Sequence, residues 1–155
     1  MTNQLTLTAL RASAAELTRE LERMPETATT WKPAETEWAQ VECLLHLQLV
    51  ERHIFLPRLT RIVKEDNPPL PVVDETALFA EARALNRSRA DLLRDFLADR
   101  AAEIALLENA DWSRPGTHAA RGPITLGWVA DYALGHTYEH LSQMMRVRLS
   151  YETKK

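Results

Sequence analysis

The sequence predicts an all-α protein, a four-helix bundle in one domain spanning residues 1–155. Three observations carry this. Apolar residues recur at helical spacing over four long stretches. All four glycines lie at or after Gly116, so the first hundred residues lack that breaker. The prolines cluster between the periodic stretches rather than within them, apart from Pro57. At 155 residues the chain is long enough to bury a real core and too short to suggest a second domain.

The first helix is marked by Leu10, Ala14, Leu17, Leu21 and Met24 on one face, and Pro25 terminates it. The connector ETATTWKPAETEW follows, where Trp31 and Trp38 are expected to cover the end of the core. A second helix is expected from about Trp38 to Lys64. Pro57 lies inside it and clashes with the carbonyl of His53, which predicts a kink near His53. The segment EDNPPLPVV is a loop, and Asp74 can cap the next helix. That third helix should run from about Glu75 to Glu108 with a break or kink near Asn86, its Arg83, Arg87, Arg89 and Arg94 forming a solvated face. DWSRPGTHAARGPITLGW reads as a loop, with Thr125 as N-cap of a fourth helix.

The chemistry concentrates in LGHTYEHLSQMM on that fourth helix. His136 and His140 are four residues apart, so their side chains share a face, together with Val129, Ala133, Met144 and Val147. Such a pair alone is equally compatible with core histidines. A third imidazole decides the matter, and His46 in VECLLHLQLVER lies on another strongly apolar helix, where an unpaired ring is costly. Three histidines from two facing helices are the ligand set of an open metal site, with one position left for water or substrate. His53 lies two turns beyond His46, too far to share the ion, and His118 reads as an exposed loop histidine. Glu42 and Glu51 are candidates to orient a ligand or act as a catalytic base. Gln143, three residues after His140, is a candidate to hydrogen-bond a metal-ligating histidine.

Several classes of function are excluded. A net charge of −3 with scattered Lys and Arg gives no footprint for nucleic acid. No apolar run is long enough for a membrane span, and no leader pattern opens the sequence, so a cytoplasmic location is expected. The single cysteine, Cys43, precludes an internal disulfide and should be a buried, inert thiol. The Glu-x-x-His signature of di-iron bundles, HExxH, GxSxG, Walker A and GxGxxG are all absent.

The tryptophan-containing connector, LLHLQLVE, DWSRPGTH, and GPITL leading into HTYEHLSQ, in that order, resemble the DinB/YfiT-like superfamily of bacterial four-helix proteins over nearly the whole chain. The resemblance implies that His46, His136 and His140 bind a divalent metal (zinc, nickel or iron) and that the protein is a homodimer. Its relatives include bacillithiol S-transferases, a mycothiol-dependent maleylpyruvate isomerase and proteins described as metal-dependent hydrolases. A thiol S-transferase using a low-molecular-weight thiol and a small-molecule electrophile is therefore the leading expectation. A hydrolase, or a stress-related dimeric scaffold with a structural metal, is the alternative. Because ligating imidazoles must be neutral, metal affinity is expected to fall as pH drops toward about 5.

Overall fold

The computed structural model describes residues 2–154, and its helices meet the expected bundle. Helix α1 (Thr2–Glu22) packs along α6 (Leu126–Thr153). Between them in sequence run α2 (Gln40–Val50), a π-helical turn (Glu51–Phe55), α3 (Leu56–Lys64), α4 (Glu75–Ala84) and α5 (Arg89–Glu108). Helix α2 is the central element, since all its residues but Val41 are buried, as expected of a helix that is apolar on every side.

The break expected near His53 takes the form of that π turn, in which the Leu56 N–H returns to the Glu51 carbonyl. Pro57 supplies the cause. It has no N–H for the His53 carbonyl, and the wider turn moves that carbonyl away from the ring. Glu51, Ile54 and Phe55 all face the interior as a result. The break near Asn86 is also present, with Asn86 at φ 47 between α4 and α5, a left-handed conformation that Asn tolerates. Asp74 and Thr125 cap α4 and α6, accepting from the N–H groups of Ala77 and Trp128.

The stretch expected to be only loop contains a small sheet. Strand β1 (Pro69–Leu70) pairs in parallel with β2 (Pro115–His118), which pairs antiparallel with β3 (Gly122–Thr125). Gly122, at φ 78, closes the three-residue hairpin loop. Gly116 is packed so closely that a β-carbon there would lie 3.0 Å from Ile62 and Leu70. These strands are short, and their alternation is masked by Pro and Gly.

The apolar core has two large parts, beside a small third cluster of Met24, Ala28 and Val147. One part gathers Leu10, Phe55, Leu59, Ile62, Leu126 and Ala130 with the sheet residues Leu70 and Ile124. The other gathers Leu17, Leu21, Leu44, Leu47, Phe96 and Met144. Between them in helix register lies a buried polar layer: Ser13 of α1, Glu51 of the π turn, Arg100 and Glu103 of α5, and Thr137 of α6. Arg100 donates to both carboxylates and to the hydroxyls of Ser13 and, at 2.8 Å, Thr137. Burial first, and then the Glu51 charge, hold the Glu103 carboxyl well above the usual carboxylate range. Arg100 thus faces two carboxyl groups in this layer, and burial disfavours the charged form of Glu103.

Glu51 is therefore a structural ion-pair partner rather than a free base. The four arginines are also less idle than expected: Arg83 pairs with Glu42, Arg87 with Asp95, Arg94 with Asp91, and Arg89 donates to the carbonyls of Leu21 and Met24 and pairs with Glu26. Replacing Arg100 with Leu leaves Glu51 buried without its counter-charge. The expected cost is about 3–5 kcal/mol, or a fall in melting temperature of about 10 °C for a domain of this size, measurable by circular dichroism.

Candidate metal centre

His46 is delivered by the middle of α2, and His136 and His140 by successive turns of α6. Packing of α2 against α6 brings them together, and one nitrogen of each lies within 4.8 Å of the others. The Nε2 atoms of His46 and His136 are 3.1 Å apart. Among the described residues this is the one group of three or more potential ligands so arranged. His46 is buried, while His136 and His140 are half-buried, so the cluster sits in the bundle wall with a path to solvent.

The surroundings orient the rings. His140 Nδ1 is 2.9 Å from Gln143 Oε1, a contact that places the proton on Nδ1 and leaves the Nε2 lone pair free. The Trp38 ring stacks on His140 at 5.9 Å and on Phe79 at 4.9 Å, so these two aromatics roof the cluster. Phe55 packs edge-on against His136. The buried Nδ1 of His136 has no hydrogen-bond partner. The protein therefore does not fix the tautomer of that ring, which an ion at Nε2 would do.

A cation fits this donor set. Three neutral imidazoles, one already braced by an amide oxygen, match the three-ligand sites in which a fourth position stays open. Burial is the main cause lowering His46 to about 4 and His136 to about 3, with repulsion from His140 next. The rings are thus held in the unprotonated form that ligation requires. Protons compete for these two only near pH 4 and below, which moves the pH expectation read from ordinary histidines downward.

The other candidates are distributed differently. The Glu42 carboxylate accepts from the Ala39 N–H at the start of α2 and pairs with Lys32 and Arg83, so capping occupies it and it is not a base at the cluster. Glu51 belongs to the polar layer. His53 is exposed. His118 is buried rather than exposed, at 7% exposure, because β2 turns it inward. Cys43 is buried, and burial first, then the Glu42 charge, push its thiol up to about 12.

Sequence reasoning missed Glu75 and gave Trp38 too small a part. Glu75 Oε2 lies 4.0 Å from His46 Nε2, its side chain half exposed. Glu75 and Phe79 are four residues apart at the start of α4, so a shared face was legible. That this face lies over the histidines depends on the break at Asn86, which folds α4 back against α2.

Comparison with known proteins agrees with the architecture. A family model described as the DinB superfamily matches residues 9–144. YfiT from Bacillus subtilis, described as a probable metal-dependent hydrolase with an unusual four-helix bundle topology, superposes with a TM-score of 0.82. It is 17% identical, with 94% of this chain and 85% of that chain covered. A mycothiol-dependent maleylpyruvate isomerase superposes with a TM-score of 0.76 at 11% identity, covering 93% of this chain and 61% of that chain. No curated protein matches by sequence. At these identities the two structures establish the fold.

Two outcomes follow. Replacing His140 with Ala should abolish stoichiometric binding in a zinc or nickel titration, replacing Gln143 with Leu should weaken it by about 10–100-fold, and replacing His118 with Ala should leave it intact. The depressed histidines also fix a pH dependence of stability. The unfolded chain takes up protons on them from about pH 6.5 downward while the folded chain does not. The stability of the metal-free protein is therefore full above that pH and falls as pH drops toward about 4. The slope is at most about 1.4 kcal/mol per unit for each ring. Urea unfolding at half-unit steps should show this decline, and a flat profile would contradict the burial of the two imidazoles.

Proposed function

Because the chain belongs to the DinB superfamily and its three imidazoles leave one side of a cation site open, we propose that it is a metal-dependent enzyme, a thiol S-transferase acting on small electrophiles. The observation that carries this reading is the cluster itself: three converging nitrogens, with no fourth ligand grouped with them among the described residues. A divalent ion bound there supplies Lewis acidity that lowers the pKa of a thiol or water toward neutrality. His46, His136 and His140 hold that ion, and Gln143 keeps His140 in the correct tautomer. Trp38 and Phe79 keep water from one side of the site.

In this proposal Glu75, at the mouth, takes the thiol proton. The sulfur then forms its bond to the electrophilic carbon, and the leaving group departs with the electron pair. The similarity in fold to a mycothiol-dependent isomerase supports a low-molecular-weight thiol as cosubstrate. Hydrolysis is the second reading, supported by the likeness to YfiT and by Glu75, which is exposed enough to serve an activated water equally well. The same reading carries a cytoplasmic homodimer, for which exposed Leu5, Met145 and Leu149 on the packed pair α1 and α6 are the supporting feature.

The test is incubation of the zinc- or nickel-loaded protein with a panel of low-molecular-weight thiols and a chromogenic electrophile. Thiol-dependent turnover that disappears in His140→Ala supports transfer. Turnover of an activated ester without thiol assigns the site to hydrolysis, and neither activity removes the enzyme reading. Glu75→Gln should lower kcat by about 10²–10⁴-fold without changing metal stoichiometry.

A further inference from the structure

Beside the histidines lies a cleft of about 360 Å³, within the range of small-molecule sites, whose walls include His136 and Glu75 together with Arg58, His118, Arg121 and Tyr132. Its charge is unusual for this molecule. The protein carries 22 acidic against 19 basic residues, yet among the described residues neither Arg58 nor Arg121 is in an ion pair. The two guanidinium groups are close enough to repel, and burial of Arg58 adds to the cost of its charge, partly offset by Glu75.

Each group is held in a way that leaves donors free. Arg121 lies over the faces of Trp128 and Tyr132, at 5.5 and 5.3 Å, and these rings are themselves stacked 5.0 Å apart. Stacking by the face leaves the planar edge of the guanidinium available for a two-point contact. Arg58 uses Nη2 on the Pro71 carbonyl and keeps its remaining N–H groups. His118 Nδ1 accepts from the Ala120 N–H, so the proton of its neutral ring sits on Nε2 as a donor. Donors outnumber acceptors, and the two guanidinium groups face a single carboxylate in the cleft, that of Glu75, with which neither forms an ion pair among the described residues.

We propose that this cleft is a carboxylate subsite, in which Arg58 and Arg121, assisted by His118, bind the carboxylate of a small substrate whose body extends toward the histidine cluster. The inference rests on the proposed enzymatic reading for its purpose but not for its test. It adds the substrate class: a small molecule bearing a carboxylate remote from its reacting atom. Two-point contacts from guanidinium groups in a half-buried cleft are among the stronger polar contacts available.

The test is calorimetric titration of the zinc-loaded full chain with phenylacetate and with its neutral isostere phenylacetamide. The carboxylate should bind at least tenfold more tightly. Arg121→Met and Arg58→Met should each reduce that preference fivefold or more at unchanged zinc content and far-ultraviolet circular dichroism. Arg121 is exposed, so its variant is expected to fold even if that of Arg58 does not. The preference should persist in metal-free His140→Ala. Equal binding of acid and amide, no binding of either, or a preference unchanged in Arg121→Met overturns the proposal. So does a preference that vanishes with the metal while both arginines remain, since the carboxylate would then be sitting on the ion. Failure of the enzymatic reading appears separately, as absence of turnover with both carboxylate-bearing and neutral electrophiles while the acid is still preferred over the amide.

Discussion

The buried pairing of Arg100 with Glu51 is the constraint on which the rest of the structure depends. A guanidinium this deep is tolerable only if its charge is met and its donors are satisfied. Meeting it requires four helices at once: Glu51 from the π turn, Ser13 from α1, Glu103 from the same helix, and Thr137 from α6. Apolar packing above and below this layer can slide with little penalty. The polar layer cannot, so it fixes the register of α2, α5 and α6 against one another. His136 is the residue just before Thr137, and His46 lies five residues before Glu51 on the same run of helix. The geometry of the three imidazoles is thus inherited from an ion pair that touches none of them directly.

The π turn belongs to the same logic. Pro57 makes a regular α-helix impossible across His53, and the wider turn that results puts both Glu51 and Phe55 indoors. One of these anchors Arg100, and the other packs against the ring of His136. A single proline outside the site thereby shapes two of its supports.

The helices and the histidine cluster were legible in the sequence because both depend on short-range periodicity: an i,i+4 pair on one helix, and an isolated imidazole in an apolar stretch on another. Gln143 was legible for the same reason, lying one turn from His140. What was not legible depends on tertiary encounters. Glu42, one turn before His46, and Glu51, five residues after it, looked like site residues, but a cap and a buried arginine claimed them. Glu75 looked like nothing more than a helix start, and only the turn at Asn86 brings it to the cluster. His118 looked exposed because the Pro and Gly residues around it read as loop, whereas the sheet they form turns its side chain inward.

The condition of Cys43 has a bearing on durability. It lies three residues before His46 on a helix at the heart of the bundle, with no exposed surface and a thiol that burial keeps from ionising at neutral pH. An electrophile diffusing up to the histidines meets no protein thiolate with which to form an adduct. Burial keeps the single sulfhydryl out of reach of alkylating agents and gives oxidants no exposed thiol through which to cross-link two copies of the chain.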